Sequence, residues 1–500
     1  MSSLPPKLPQ ELIKVIKQLK KLLPTAEIYL VGGAVRNLLL KRPTKDYDLL
    51  VKNIPADPLE KNLKKLGTTN LVGKNFGVFK WLPKNWSGEL IDVALPRTEH
   101  SLNFSGHYRD FSVQSDANLT VEQDLARRDF TLNALALNLS TGKIIDPYNG
   151  QSDLNNKIIK TVGRANDRLQ EDLSRGLRGL RLACQLNFTI EQTTLQAIKK
   201  IARSVANKQI NKTYLVPRET IAKEFLKSLL ANPIETINLY EKNGYLKLLL
   251  PEVQNLRACP QPPQFHSEGD VLTHTLLAFA SLTSPAWTKY WPKQSPSLNL
   301  LLAILLHDLG KPLTLQTPQS HGTDRIRNHN HDIVGAKMIP GLIERLKLTS
   351  YQDPLAGQIE TTVVTWLTAN HLLLAHGRPQ DFKPTTLYKY FLKNPDQGQL
   401  LLQLIFADTW ATRPTNNLRL LDGFDELLKK IKQVRLSLPS GQLKLLLNGQ
   451  DIMTKFKIKP GRQVGQLLKI LEEAQVNGLI KNKKEALSYL KNHQSKNNKL

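Results

Sequence analysis

Five hundred residues are more than one hydrophobic core supports, so roughly two to four domains are expected. Hydrophobic residues at 40% and charged residues at 22% exclude a wholly disordered or collagen-like chain. No run of about 18 apolar residues is present, which argues against a transmembrane helix and a membrane-spanning role. Lys and Arg number 69 against 43 Asp and Glu, a net charge of +26. Such an excess points to a polyanionic partner, with nucleic acid ahead of an anionic membrane surface. Two cysteines, Cys184 and Cys259, build neither a disulfide framework nor a Cys-based zinc site, and suit a reducing cytoplasm. The N-terminus lacks an apolar h-region and a small-residue cleavage site, so it does not read as a secretory signal.

In chain order, the first 150 residues read as mixed α/β. Leu12, Ile13, Ile16, Leu19 and Leu23 recur at helical spacing and predict a helix over 8–23. EIYLV (27–31) is a short apolar strand running into Gly32-Gly33, with a helix expected over 34–40. DYDLLV (46–51), GVFKWL (77–82) and ELIDVAL (89–95) read as further strands. Residues 97–119 are polar and read as a long loop. From about residue 120 the strand signal fades, and 120–260 read as helical, with breaks near Gly163, Pro217, Pro233 and Pro251. ACPQPPQFHSEGD (258–270) reads as a linker. Residues 271–415 are again helical, and eight of the eleven histidines fall between 266 and 376. The remainder is Leu/Lys-rich and helical, with a turn at Lys459-Pro460-Gly461 and a last ten residues expected to fray.

LVGGAVRNLLLKRPTKDYDLLV (30–51) is the most informative stretch. A glycine pair between a strand and a helix lets backbone amides approach a phosphate, and Arg36, one turn into the helix, reaches the same anion. Asp46 and Asp48, at i and i+2 of a strand, share a face. Two convergent carboxylates beside a triphosphate site suit Mg²⁺. Asp92 is the candidate third acid of a two-metal site, with Glu89 on the opposite side of its strand. The segment resembles the active-site signature of the DNA polymerase β-type nucleotidyltransferases, and more narrowly of the bacterial tRNA nucleotidyltransferases (CCA-adding enzymes) and poly(A) polymerases. Asn37 departs from that pattern, in which an aspartate follows the arginine, so a supporting contact is expected to be weaker.

ARRDFTLNALAL (126–137) resembles the family's second motif, which implies that Arg128 holds the triphosphate. Asp129 and Asn133, four apart on an expected helix, would share a face and meet the ribose. EDLSRGLRGLRLACQLNF (171–188) resembles the motif that selects the base. Asp172 and Arg175, three apart on an expected helix, offer an acceptor beside donors. Cytosine and adenine each present an amino donor beside a ring-nitrogen acceptor, whereas uracil and guanine present the reverse. An edge-on Asp/Arg pair therefore accepts C and A, and leaves groups unpaired with U and G. Arg178 and Arg181 extend the basic band toward phosphate. PRTEHSLNFSGHYRDFSVQSDANL (96–119) fills the place of the family's flexible loop without being shortened, which favours adding A as well as C. GYLKLLLPEV (244–253) resembles the neck segment.

His274, His307-Asp308 and Asp408 fit an H…HD…D pattern that resembles the HD phosphohydrolase domain. Two imidazoles and two carboxylates suit a divalent transition metal. His329, His331, Asp332 and His371 are candidates for a second metal or for phosphate binding. The tail, 447–487, resembles a C-terminal module of the same enzymes; Arg462, Lys481, Lys483 and Lys484 add to its positive charge.

The resemblance implies an α+β chain: a polymerase β-type nucleotidyltransferase head with a mixed sheet, followed by mostly helical domains. The expected division is a head over 1–150, a helical neck for base selection over 151–260, an HD domain over 265–415 and a tRNA-binding tail over 416–500. The implied reaction is template-independent transfer of CMP, AMP or both from CTP and ATP to the 3′ end of tRNA. Asp46 and Asp48 would bind Mg²⁺, and Gly32, Gly33, Arg36, Arg128 and Arg178 would cradle phosphate. The alternatives are a poly(A) polymerase and a metal-dependent HD phosphohydrolase with a degenerate head.

Overall fold

The computed structural model describes residues 8–72, 78–101, 111–115, 119–375, 378–415, 420–438 and 443–497. The chain divides into two compact units, the first comprising 1–250 with 346–350, the second 251–345 with 351–500.

In the first unit, the apolar strand β1 (Glu27–Val31) is central because both its faces are covered. Alternation sends Ile28 and Leu30 into one hydrophobic cluster and Tyr29 and Val31 into another. The larger cluster also takes the buried stripe of α1 (Gln10–Leu22), namely Leu12, Val15, Ile16 and Leu19. After β1, Gly32 turns the chain into α2 (Gly33–Leu39). The sheet then gains β2 (Asp48–Lys52), and after α3 (Ala56–Leu66) come β3 (Gly67–Val72), β4 (Val78–Pro83) and β5 (Ile91–Ala94). Two more strands, β8 (Ala136–Asn138) and β9 (Ile144–Ile145), complete the order β3-β4-β5-β2-β1-β8-β9. Among the described residues of this sheet only the β2/β5 pair is parallel, so the sheet is mixed. That pair sets Asp48 directly opposite Asp92.

Several expected boundaries move. The second strand starts at Asp48, so Asp46 lies on the preceding loop rather than two places along a strand. The strand expected over 89–95 is confined to 91–94, which leaves Glu89 outside it. Gly77, expected to open a strand, lies outside the described residues. The long loop expected over 97–119 holds instead an antiparallel ribbon, β6 (Arg97–Ser101) with β7 (Phe111–Ser115). RTEHS lacks apolar alternation and FSVQS alternates over only four residues, too short to stand out within a polar stretch; 102–110 and 116–118 lie outside the described residues. β8 and β9 fall where a helical stretch was expected, because ALALN is too short for period to separate strand from helix.

Helices carry the rest of this unit. α4 (Val121–Ala126) begins with a capping box between Thr120 and Gln123. α5 (Gly150–Asn155) and α6 (Ala165–Glu171) lead into α7 (Ser174–Leu186), which is buried on nearly every side. α8 (Gln192–Asn207) and α9 (Arg218–Ala231) follow.

The second unit is almost wholly helical. Its most apolar helix, Leu298–Leu306, has every residue buried. The proline-rich segment expected to be a linker is part of the packed unit: Cys259 and Gln261 are buried, and the Ser267 N–H donates to the Arg413 carbonyl. Helices Gly449–Phe456, Arg462–Val476 and Lys483–Asn497 close around their own small core, which includes Ile452, Leu471 and Leu490. The last helix thus runs through Asn497, well into the residues expected to fray. No described helix is long and apolar enough to cross a membrane.

Candidate active site and metal centre

A cavity of about 1020 Å³ in the first unit gathers Gly32, Gly33, Arg36, Asp46, Asp48, Asp92, Arg128, Asp129, Asn133, Asp172, Arg175 and Arg178 along its wall. Residues up to 146 positions apart in sequence are thereby brought to one place. Asp48 and Asp92 come from paired strands, and Asp46 from the loop that leads into β2. Burial pushes the Asp48 carboxyl above its usual range, and the neighbouring carboxylates of Asp92 and Asp46 push it further, against the pull of Arg128. Asp92 is paired with Lys80 across the β4/β5 register, 2.5 Å from Nζ to Oδ1. Sequence reasoning missed Lys80, although a lone cation between Phe79 and Trp81 in an apolar strand was a signal.

The glycine turn has a steric basis. Gly32 sits at φ +70°, and a Cβ there would lie 2.8 Å from Arg128 Nη1. The Arg128 guanidinium is thus laid against the turn, where Asp124 accepts its Nη2 at 3.2 Å. Arg36 is aimed by amide oxygens: its Nη1 donates to Asn133 Oδ1 at 2.7 Å, and its Nε and Nη2 donate to Asn37 Oδ1 at 3.1 and 3.0 Å. Asn37 therefore supplies the acceptor that an aspartate would, without its charge. Burial, then the nearby Arg181, brings the Arg36 pKa down to about 10.

Asp129 and Asn133 meet as expected but not on a helix. Asp129 precedes a single 3₁₀ turn, Thr131–Asn133, and accepts Asn133 Nδ2 at 3.2 Å. Its other oxygen pairs with Arg178 Nη1 at 2.8 Å. Burial alone would raise the Asp129 carboxyl, but Arg178 and these hydrogen bonds outweigh it and hold the pKa at about 2.

Asp172 and Arg175 are both buried and both line the cavity, but they do not share a helix face. Asp172 follows α6 with an extended backbone, and Arg175 lies in the first turn of α7. Asp172 Oδ1 accepts the Ser174 N–H at 2.8 Å and its hydroxyl at 2.6 Å, which satisfies the first N–H of α7 from one residue before the N-cap Leu173. Arg175 Nη1 donates to Glu171 Oε2 at 2.5 Å and to the Arg168 carbonyl at 2.9 Å, and Nη2 donates to the Arg127 carbonyl at 3.2 Å. Three of its five N–H donors are thus used, which leaves Nε–H and one Nη2–H. Glu171, the residue that fixes this orientation, was not singled out from sequence; its place four before Arg175 was the available signal. Arg181, expected to extend the basic band toward phosphate, also lines the cavity, as do Arg127 and Lys227, which went unassigned to it.

The second unit holds a separate centre. His274 (helix Val271–Ser281), His307 and Asp408 (helix Pro395–Ala411) bring one ligand atom each within 4.8 Å of one another, as do Asp308, His331 and His371. The Asp308 carboxyl lies 3.2 Å from His307 Nε2. His274 Nε2 is 2.9 Å from Asp408 Oδ1, and its Nδ1 is 2.8 Å from Glu268. Burial would lower the His274 pKa, but those two carboxylates outweigh it and raise it to about 9. The same contacts, His274 foremost, hold Asp408 well below the usual carboxylate range. Of the other candidates, His331 and His371 join the cluster, whereas His329 is exposed and neither it nor Asp332 belongs to a clustered group. Glu268 and His266, assigned by sequence to a linker, support His274 instead. These donor sets can hold metal ions: nitrogen-rich in the second unit, all-oxygen in the first.

Comparison with known proteins follows the same division. Residues 28–160 match the poly A polymerase head domain, 276–417 the HD domain, and 384–490 a putative tRNA nucleotidyltransferase domain 2. The chain is 36% identical over 394 residues to the multifunctional CCA protein of Aliivibrio salmonicida, covering 76% of this chain and 84% of that one. It is 35% identical over 340 residues to the multifunctional CCA protein of Haemophilus influenzae, covering 66% and 73%. Among solved structures, the Bacillus stearothermophilus CCA-adding enzyme in complex with CTP is similar with a TM-score of 0.64 at 22% identity, covering 98% of each chain. The Thermotoga maritima CCA-adding enzyme complexed with tRNA is similar with a TM-score of 0.58 at 18% identity, covering 98% of this chain and 97% of that one. At these identities the structural likeness establishes the fold: a nucleotidyltransferase head with a mixed sheet, followed by helical domains.

Proposed function

The chain belongs to the multifunctional CCA protein family, and from that premise we propose that it transfers CMP and AMP from CTP and ATP to the 3′ end of tRNA. The terminal ribose hydroxyl oxygen bonds to the α-phosphorus, the bond from that phosphorus to the α–β bridging oxygen breaks, and pyrophosphate leaves. One observation carries the reading: a single cavity joins three carboxylates to a phosphate-facing glycine turn and to the Asp172/Arg175 pair.

Asp46 and Asp48 would hold Mg²⁺, with Asp92 as the third acid. Mutual repulsion at Asp48 is the electrostatic condition that a hard dication relieves. When bound, such ions lower the cost of deprotonating the attacking hydroxyl and of charge on the departing pyrophosphate. The remaining tasks belong to side chains of this chain. Gly32 and Gly33 leave room for phosphate beside the backbone, and Arg36, Arg128 and Arg178 supply positive charge there. Asp129 and Asn133 present the ribose with a fixed acceptor and donor. Arg175, pinned by Glu171, offers its free Nε/Nη2 edge to ring acceptors, while Asp172 accepts from the exocyclic amino group. Uracil and guanine would set N–H against N–H on that edge.

The head occupies 1–150, the neck 151–260, the HD domain 265–415 and the tail 416–500. Shape and backbone carry tRNA recognition, consistent with positive charge spread along the chain, and the cytoplasm is the site of action. The test is direct. The protein is incubated with tRNAs ending before CCA, after C and after CC, each with one labelled nucleotide. CTP enters the first two and ATP the third, with UTP and GTP excluded; no incorporation on any of them, or all four bases entering alike, overturns the reading.

A further inference from the structure

One face of the head sheet carries a row of charged side chains. β4 buries Phe79 and Trp81 on the core side, so alternation turns Lys80 to the opposite face. β5 buries Ile91 and Val93 and turns Asp92 the same way. The strand registers set Lys80 opposite Asp92, and Asp92 opposite Asp48. Three neighbouring strands thus place an ammonium and two carboxylates side by side, and Val78, Asp92 and Asp48 of that face line the cavity. Lys80 Nζ lies 2.5 Å from Asp92 Oδ1 and 2.7 Å from Oδ2, so one ammonium engages both oxygens. Burial, then Asp92 and Asp46, pushes the Asp48 carboxyl up, while Arg128 and Lys80 pull it down. The charge of Lys80 is therefore felt at both acids.

An acid that serves a divalent ion must offer it an oxygen, and both oxygens of Asp92 already face a lysine. The Lys80 side chain is 40% exposed and ends a flexible four-carbon stem, so its ammonium can withdraw into water. We propose that Lys80 is a positioning residue that competes with a divalent cation for the Asp92 carboxylate. It holds the third acid in place while the head is free of ions, yields it when an ion arrives, and so sets the ion concentration at which the site fills. Lys80 offsets one of the three carboxylate charges that would otherwise draw the ion. This inference rests on the reading that Asp46, Asp48 and Asp92 hold metal ions, and deepens it by naming what tunes their grip.

The test reads ion occupancy of the head directly. The full chain is stripped with chelator and titrated with Fe²⁺ in the presence of ascorbate and peroxide, so that bound iron cuts the backbone beside it. Fragments ending near Asp48 and Asp92 report the head, and fragments cut in the second unit serve as the internal reference. Lys80→Met should lower the Fe²⁺ concentration for half-maximal cutting in the head about tenfold, with cutting in the second unit unmoved. Lys80→Arg keeps the charge and should need at least as much Fe²⁺ as the parent. The Mg²⁺ requirement for CMP incorporation should fall in parallel in Lys80→Met. A requirement in the head that Lys80→Met leaves unchanged or raises overturns the proposal and leaves the three acids standing as a metal site. So does a Lys80→Arg chain that fills as readily as Lys80→Met. No cutting in the head of the parent at any Fe²⁺ concentration overturns both readings. Should Lys80→Met fail to fold, Lys80→Gln, polar but uncharged, decides by the same shift.

Discussion

At the scale of single residues, the edge proposed to read the base depends on a neighbour outside it. Glu171 Oε2 receives both Arg168 and Arg175, at 2.9 and 2.5 Å. Glu171→Gln keeps the shape and removes the charge, so Arg175 gains freedom to rotate. Misincorporation of UTP or GTP should rise about tenfold, the equivalent of ~1.4 kcal/mol of discrimination, with a smaller loss in CTP turnover. Unchanged selectivity in Asp172→Ala with Arg175→Ala would remove the side-chain template altogether. A second residue-scale outcome concerns Asp129. Its folded pKa of about 2 lies below the ordinary 3.8, so its stabilisation is present above the unfolded value and is lost as pH falls through the folded one. Asp129→Asn should cost on the order of 2 kcal/mol near pH 7 by urea unfolding, and the gap should close between pH 4 and pH 2. That these acids and arginines would gather in one cavity was legible from sequence because order and spacing restrict them. Their counter-ions, Lys80 and Glu171, were not, since pairing across strands or around a cap leaves little pattern in a single chain.

At the scale of elements, two glycines set where the functional segments lie. Gly32→Ala places a methyl on a backbone at φ +70° and ψ −135°, a region occupied almost only by glycine and costing about 1–3 kcal/mol, and drives it toward Arg128 Nη1. Melting should fall by a few degrees, whereas nucleotide addition should fall by at least about tenfold, because the displaced group is the arginine proposed to face phosphate. Gly310 follows the His307-Asp308 pair, and a Cβ there would lie 2.1 Å from the His331 carbonyl oxygen. The obstacle is backbone, which cannot swing aside. Gly310→Ala should therefore lower bound metal in the second unit and destabilise it by more than Gly32→Ala destabilises the first, read by metal content and calorimetry. Strand β1 and the long helices were legible because apolar period is strong over their length. The β6/β7 ribbon and β8 were not, since pairing partners rather than local preference form them. The proline-rich stretch 258–270 misled for a related reason: prolines mark irregular backbone, but Glu268 anchors that backbone in a core.

At the scale of the whole molecule, each unit contains its own centre, and the cavity and the histidine cluster share no residue. Composition alone forecast several domains and a polyanionic partner, because size and charge act through sums that need no geometry. Where one unit ends was not legible, for the break near residue 250 falls inside a helical stretch. Each centre also keeps an ammonium group against a carboxylate: Lys80 at Asp92, and Lys311 at Asp308, 2.7 Å from Nζ to Oδ2. With these cations resident, stripping divalent ions does not leave the acids facing only one another. Chelator should silence nucleotide addition and lower the melting temperature by what ion binding adds to the folded state, and reloading the ions should restore both. The resident ammonium groups let the polypeptide mature first and take up its ions afterwards.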